Sequence, residues 1–346
     1  MTDEGRDNTV PQISIVVPAK DEARFIRPCL RSIREQWFNG WECLIVDDGS
    51  QDETLDIAEE FAEKDSRFRV ISHAESRGLA AARNTGIAST SAPYLTFLDA
   101  DDFLYQHALR RRLESLSTPE RPTVAGSYCD WQPTREKQGR NPPEREPADR
   151  HKLLGFVHGP ECPFIATAPL VRRDIIEEMG GFDETLPTAE DFDLWVRILR
   201  AGYTFVYTPV VGVAYRQKSS GMIFSGTAFH ARASGKIIDD QYVDLSGSPN
   251  APLLAKPISH YQREHTQARR LLRSFAIAAA ADDADGQEEI KALLRSPISI
   301  LERAGLDVRG ELRAGLSRAS RAFPALASAE AKDQAVDELV GKIATD

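Results

Sequence analysis

The chain has 346 residues, a formal net charge of -10, 41% hydrophobic and 28% charged residues, and four cysteines. This length exceeds that of most single domains, and the apolar fraction suffices for a sizeable core, which argues against wholesale disorder. The acidic balance disfavours non-specific nucleic-acid binding, because neutralising phosphates needs clustered Lys and Arg.

Cys29, Cys43, Cys129 and Cys162 are widely spaced, without a CxxC pair. They read as reduced, mostly buried thiols rather than a zinc site or a disulfide framework. Met1 to Asn8 is polar and acidic and lacks the basic and apolar regions of a signal peptide. No stretch approaches the roughly 20 apolar residues that a spanning helix needs. These features predict a soluble, cytoplasmic protein and leave peripheral contact with a membrane open.

Ile13 to Val17 is a β-branched run that predicts a buried parallel strand stopped by Pro18. A helical pattern follows from Glu22 to Glu35, with Phe25, Ile26, Leu30 and Ile33 on one side. Trp41 to Val46 predicts a second strand, ending in Asp47-Asp48-Gly49-Ser50. Asp52 to Glu63 reads as a helix, Arg69 to Ile71 as a short strand, and Gly78 to Ala88 as a small-residue helix. Tyr94 to Leu98 is a fourth strand running into Asp99-Ala100-Asp101-Asp102. Alternating strands and helices predict an α/β fold with a mostly parallel sheet flanked by helices. Both acidic clusters follow strands, and ligands of open α/β sheets bind outside the carboxyl ends of strands, so one shared crevice is expected.

The segment from Gln132 to Arg150 is rich in proline and charge and predicts a mobile loop. Structure resumes at Phe164 to Val171, a helix over Arg173 to Met179 and a Gly180-Gly181 turn. A helix starting near Glu190 carries Leu194, Trp195, Ile198 and Leu199, before strands at Thr204 to Tyr207 and Val210 to Tyr215. Beyond about Gly235 the chain turns Ala-, Leu-, Glu- and Arg-rich, with breaks at Pro297, Gly305, Gly310 and Pro324. The expected division is a catalytic domain over 1–235 and a C-terminal α-helical appendage over 236–346.

Each acidic cluster alone has two readings. Asp99 and Asp101 splay from one strand end and suit a hard divalent cation, yet Asp101 or Asp102 equally suits a helix cap. Asp47-Asp48-Gly49-Ser50 reads either as a turn and cap or as an acceptor for a nucleobase imide or a ribose hydroxyl. Glu190-Asp191-Phe192-Asp193 either complements a helix dipole or fixes a general base.

In series the ambiguity narrows. Pro18-x-x-x-Glu22, then VDDGSxDxT, RGLAAARNTGI, LTFLDADD, and GGFDE with AEDFDLW occur in that order. This series resembles the family 2 glycosyltransferases, inverting enzymes with the glycosyltransferase A fold, over Ile13 to Met222. The resemblance implies that Pro18, Ala19 and Glu22 border the nucleoside and that Asp48 bonds a uracil ring. Arg83 would lie near the base and diphosphate, Asp99 on the ribose side, and Asp101 on the metal, Mn2+ or Mg2+. Asp191 would be the catalytic base, supported by Glu190. The donor would be a nucleotide sugar, most often a UDP-sugar, and the acceptor a glycan, lipid-linked glycan or protein-linked precursor.

One departure stands out. Many relatives carry R-x-H-x-x-S after the base helix, whereas this chain reads Arg216-Gln217-Lys218-Ser219-Ser220-Gly221. Lys218 replaces the histidine, and an ammonium clamps phosphate but cannot ligate a metal. It is expected on the diphosphate, with Ser219 or Ser220 helping.

His73, His107, His151 and His158 lack metal-ligand spacing. Trp131 suits either stacking on an acceptor sugar or the core, and Arg110-Arg111-Arg112 and Arg269-Arg270 read as solvated helix faces. A dehydrogenase is excluded, because Pro18 to Glu22 replaces the glycine-rich turn. The alternative from another class is a non-catalytic nucleotide-sugar binder or scaffold. The C-terminal helices are open to acceptor, homo-oligomer or docking roles.

Overall fold

The computed structural model describes residues 10–117, 122–135, 165–217, 260–280, 283–293, 306–319, 326 and 328–344. The described residues fall into two compact units, the first ending at Arg216 and the second carrying the helices from His260 onward. The expected boundary at 235, Cys162, His151, His158, Lys218 to Gly221 and residues 136–150 all lie outside the described residues.

In the first unit β1 (Ile13–Ala19), α1 (Ile26–Arg34), β2 (Trp41–Asp47), α2 (Thr54–Lys64), β3 (Phe68–Ser72), α3 (Leu79–Ala88) and β4 (Tyr94–Phe97) alternate. Then come β5 (Phe103–Leu104), α4 (Ala108–Glu114), β6 (Val124–Arg135), β7 (Pro169–Arg172), α5 (Arg173–Glu178), α6 (Glu190–Arg200) and β8 (Thr204–Gln217). They build one sheet in the order β3-β2-β1-β4-β7-β6-β8-β5. The half from β3 to β4 is parallel, and β7 joins it antiparallel to β4, so the sheet is mixed.

β1 is wholly buried because its β-branched residues meet apolar side chains on both faces. Ile13, Ile15 and Val17 belong to a core with Ile26, Leu30 and Ile33 of α1 and Cys43 and Ile45 of β2. Burying each such side chain contributes roughly 1.5–3 kcal/mol. Contrary to expectation, β1 continues through Pro18, which registers with Val46. Leu98 donates to the Val16 carbonyl and Asp48 to the Ala19 carbonyl, so Pro18 faces the side where β4 has already ended. Its missing N–H therefore costs no ladder bond.

Other boundaries shift for local reasons. α1 starts after a turn in which the Glu22 carbonyl accepts from Phe25 (2.8 Å) and Ile26 (2.9 Å). Gln132 to Arg135, expected as loop, extend β6. The two strands expected around Pro209 are the single strand β8. Thr204 bonds toward β6 through Thr123, whereas Gly212 accepts from Tyr105 beside β5, so the pairing side switches in between.

The second unit has α7 (His260–Ala280), α8 (Ala284–Leu293), α9 (Val308–Ala319) and α10 (Ala329–Ala344). Leu272, Phe275, Ile290, Leu312, Leu316 and Leu339 share its core. Gly310 does not break a helix as expected. Its N–H donates to the Asp307 carboxylate (2.9 Å), a cap that starts α9, and Gly286 does the same with Asp283 (2.9 Å). No described helix is long and apolar enough to cross a membrane.

α3 packs closely on β1 at Gly86. A Cβ built on Gly86 would lie 2.2 Å from Val16 Cγ1, so only glycine allows this approach. Gly86→Ala should cost about 1–3 kcal/mol by overpacking, read as a Tm several degrees lower. Adding Val16→Ala should recover part of the loss, and an unchanged Tm for the single variant would contradict the close packing.

Candidate active site

β1 lies between β2 and β4, so the chain leaves it in opposite directions and a crevice opens at its carboxyl end. The loop after β1 is stitched to the loop after β2. Asp21 N–H donates to Ser50 Oγ (3.0 Å), Gln51 N–H to Asp21 Oδ1 (2.8 Å), Glu22 N–H to Thr54 Oγ1 (2.7 Å) and Ala23 N–H to Asp52 Oδ2 (3.1 Å). Pro18 and Ala19 are buried beneath this seam and Glu22 is half-buried within it.

Asp48, at the end of β2, is 4% exposed, and four protein groups donate to its carboxylate. Burial alone would raise its pKa, but the bonds from Arg77, His73, Ser76 and Gly78 hold it below the usual value.

Arg83 of α3 is 1% exposed and spans two acidic motifs. Its Nη2 donates to Asp99 Oδ1 (2.8 Å) and its Nη1 to Glu190 Oε1. Phe182 faces the guanidinium 5.3 Å from its ring centre and packs edge-on against Phe97 at the end of β4. The next residue, Asn84, clasps the Phe182 backbone, accepting from its N–H and donating to its carbonyl, both at 2.9 Å. Gly181 needs its positive φ of 74° here, and a Cβ on it would meet Asn84 Oδ1 at 2.7 Å. Arg197 completes the frame by pairing with Asp193 (2.7 Å) and donating to the Gly181 carbonyl (2.7 Å).

Glu190 and Asp191 open α6 after Ala189, a non-glycine residue with a φ of 62°. Burial and then the neighbouring Glu190 push the Asp191 carboxyl up to about 7, against the pull of Arg83 and its own bond from the Phe192 N–H. A carboxyl so poised exchanges protons near neutral pH.

Asp99, Asp101 and Asp102 follow β4. Asp102 is the buried member, accepting from the Arg216 N–H (2.7 Å) and from Thr167 Oγ1 (3.4 Å). Burial, then Asp101 and Asp99, push its carboxyl well above the usual range. Arg216 Nε also donates to the Asp101 carbonyl (2.8 Å), tying β8 to this turn. No group of three or more His, Cys, Asp and Glu side chains converges on a cation position among the described residues. Asp99 and Asp101 are of the hard carboxylate type that a divalent ion prefers, and both lie close enough to Asp102 to raise its pKa. Such an ion would draw most of its ligands from water and substrate, as Mg2+ commonly does.

The structure therefore brings Pro18, Ala19, Glu22, Asp48, Arg83, Asp99, Asp101, Glu190 and Asp191 to one end of the sheet. His73, Asn84 and Asp102 have roles that the sequence reading did not give them. Trp131 is partly buried against the core. Arg112 is a correction, because it is fully buried rather than solvated, donating to Thr96 Oγ1 (3.0 Å) and to the carbonyls of residues 167–169 (3.2 Å each). Arg110 and Arg111 are exposed as expected.

The family described as glycosyl transferase family 2 matches residues 14–180, and the one described as glycosyltransferase like family 2 matches residues 156–268. The chain belongs to glycosyl transferase family 2. Glycosyltransferase AglE of Haloferax volcanii is 29% identical over 208 residues, 58% of this chain and 65% of that protein. The pre-mycofactocin glycosyltransferase of Mycobacterium tuberculosis is 31% identical over 214 residues, 60% of this chain and 43% of that protein. The match thus spans less than two thirds of either relative. Among solved structures, S. aureus TarS 1-349 in complex with UDP-GlcNAc superposes with a TM-score of 0.60 at 16% identity, covering 96% of this chain and 90% of that one. Mannosyltransferase PcManGT from Pyrobaculum calidifontis, in complex with GDP-Man and Mn2+, gives 0.54 at 21% identity, covering 90% and 87%. This family 2 chain shares their fold.

The raised Asp191 has a thermodynamic signature. Its folded carboxyl holds a proton that the unfolded chain has lost between about pH 4 and 7, so its contribution to stability falls as pH rises through that window. Asp191→Asn should therefore melt several degrees above wild type at pH 8, with the gap closing toward pH 4.5. A gap independent of pH would refute the raised value.

Proposed function

We propose that the chain is an inverting glycosyltransferase of glycan or polysaccharide biosynthesis that moves a sugar from a UDP-sugar to an acceptor hydroxyl. The observation that carries this reading is Asp191, held at the start of α6 beside the Arg83 ion pairs with its carboxyl pushed up to about 7. Fold likeness to proteins crystallised with UDP-GlcNAc or with GDP-Man and Mn2+ supports a nucleotide-diphosphate sugar as donor.

In this reading the acceptor oxygen attacks C1 of the sugar as the bond from C1 to the diphosphate oxygen breaks, inverting the configuration. The acceptor proton passes to the Asp191 carboxylate. The negative charge of Glu190, acting against the pull of Arg83, keeps Asp191 basic enough to take it. Pro18, Ala19 and Glu22 border the nucleoside, Asp99 faces its ribose, and Lys218 contacts the diphosphate. Bound at Asp101, a Mn2+ or Mg2+ ion would supply positive charge where the leaving diphosphate gains negative charge.

A panel of UDP-sugars with Mn2+ or Mg2+ should show UDP release, with a rate that rises with pH and levels off above about 7. Asp191→Asn should lower kcat by about 10²–10⁴-fold while leaving the Kd for UDP within a few-fold. Wild type that binds UDP but neither transfers nor hydrolyses any donor would make the chain a non-catalytic binder. Separately, Lys218→Ala should raise donor KM, and unchanged KM and kcat would remove Lys218 from the diphosphate.

A further inference from the structure

Arg112 is a fully buried arginine outside the site described above. Among the described residues no carboxylate pairs with it, and burial pushes its pKa down. Its bonds go to neutral oxygens. Nη1 donates to Thr96 Oγ1 (3.0 Å) and to the Thr167, Ala168 and Pro169 carbonyls (3.2 Å each), and Nε donates to the Ala108 carbonyl (3.2 Å). Ser127 Oγ on β6 donates to the Arg112 carbonyl (2.8 Å) and so fixes the residue's own backbone. Burying a charge without a counter-charge is unfavourable unless hydrogen bonds offset it. The residue is therefore to be understood from the oxygens it gathers.

Successive carbonyls of a strand point to opposite sides. Residues 167–169 instead aim three in a row at one nitrogen, so Arg112 specifies a turned backbone where β7 begins at Pro169. That turn carries Thr167, itself 1% exposed, whose hydroxyl donates to Asp102 Oδ2 (3.4 Å). Asp102 Oδ1 accepts from the Arg216 N–H (2.7 Å), and Arg216 Nε donates to the Asp101 carbonyl (2.8 Å). Thr96 lies on β4 just before the acid turn, and its hydroxyl donates to the Pro169 carbonyl (2.8 Å). Arg112 thus reaches the acid turn by two routes, along β4 and through Thr167.

We propose that Arg112 and Thr167 are positioning residues for the acid turn, holding the Asp101 peptide in the orientation that lets its carboxylate meet a divalent cation. The inference rests on the metal reading above, and in it neither residue touches the cation or the donor.

The test is calorimetric titration of Mn2+ into the full chain saturated with UDP, beside a titration of UDP without metal. Thr167→Val keeps the side-chain shape and removes the hydroxyl. It should weaken Mn2+ binding about tenfold and leave metal-free UDP within about twofold of wild type. Thr167→Ser should bind Mn2+ nearly as wild type. Arg112→Met should weaken Mn2+ to a similar degree. Combining it with Thr167→Val should weaken Mn2+ no further, because both act through one turn. Melting curves show whether each variant is folded, and Thr167→Val with its Ser rescue decides alone if Arg112→Met does not fold. The inference is overturned if folded Thr167→Val binds Mn2+ as wild type, or if Thr167→Ser binds as weakly as Thr167→Val. Fully additive losses in the double variant, or metal-free UDP weakened in parallel with Mn2+, would overturn it too. Wild type that binds UDP but no Mn2+ would sink the metal reading itself, and the inference with it.

Discussion

The arrangement depends on one buried cation. Arg83 sits beneath the site with a carboxylate on each side, and burial works against its charge while Asp99, Glu190 and Asp191 raise its pKa further. The two carboxylates belong to motifs far apart in the chain, Glu190 lying 107 positions beyond the arginine. Removing one member of such a set leaves buried charge uncompensated, at a cost of about 3–5 kcal/mol. The pairing therefore fixes where the acid turn after β4 stands relative to the start of α6.

The remaining contacts extend that constraint. Asn84, the neighbour of Arg83, grips Phe182, and Phe182 packs against Phe97, so α3 brackets the acid turn through polar and apolar contacts together. Around this frame the acids outnumber the buried cations. Asp102 and Asp191 both register the excess as raised proton affinity, each partly caused by neighbouring carboxylates. A place that holds negative charge under such strain is suited to a ligand that brings a cation with it.

Much of this was legible in the sequence because it rests on local pattern. The β-branched run of β1 and the alternating helices gave the parallel half of the sheet, and the acids after β2 and β4 gave its functional end. What sequence could not give were the partners. Nothing in the triplet Arg110-Arg111-Arg112 marks the third residue as buried; that follows from which face of α4 meets carbonyls of residues 167–169. His73 carried no metal spacing, and its role appears only when the ends of β2 and β3 lie side by side in register, with Asp47 opposite Ser72. Pro18 does not end β1, because a proline ends a strand only where its N–H would have had a partner.

The seam between the loops after β1 and β2 has a consequence for engineering. Ser50, Asp52 and Thr54 in one loop are matched to the backbone of Asp21, Glu22 and Ala23 in the other, and Asp21 returns a bond to Gln51. Neither loop holds its shape alone. Transplanting one of them from a relative, to borrow its donor preference, would import half of a lock. The two loops form a single cassette, to be exchanged or diversified together.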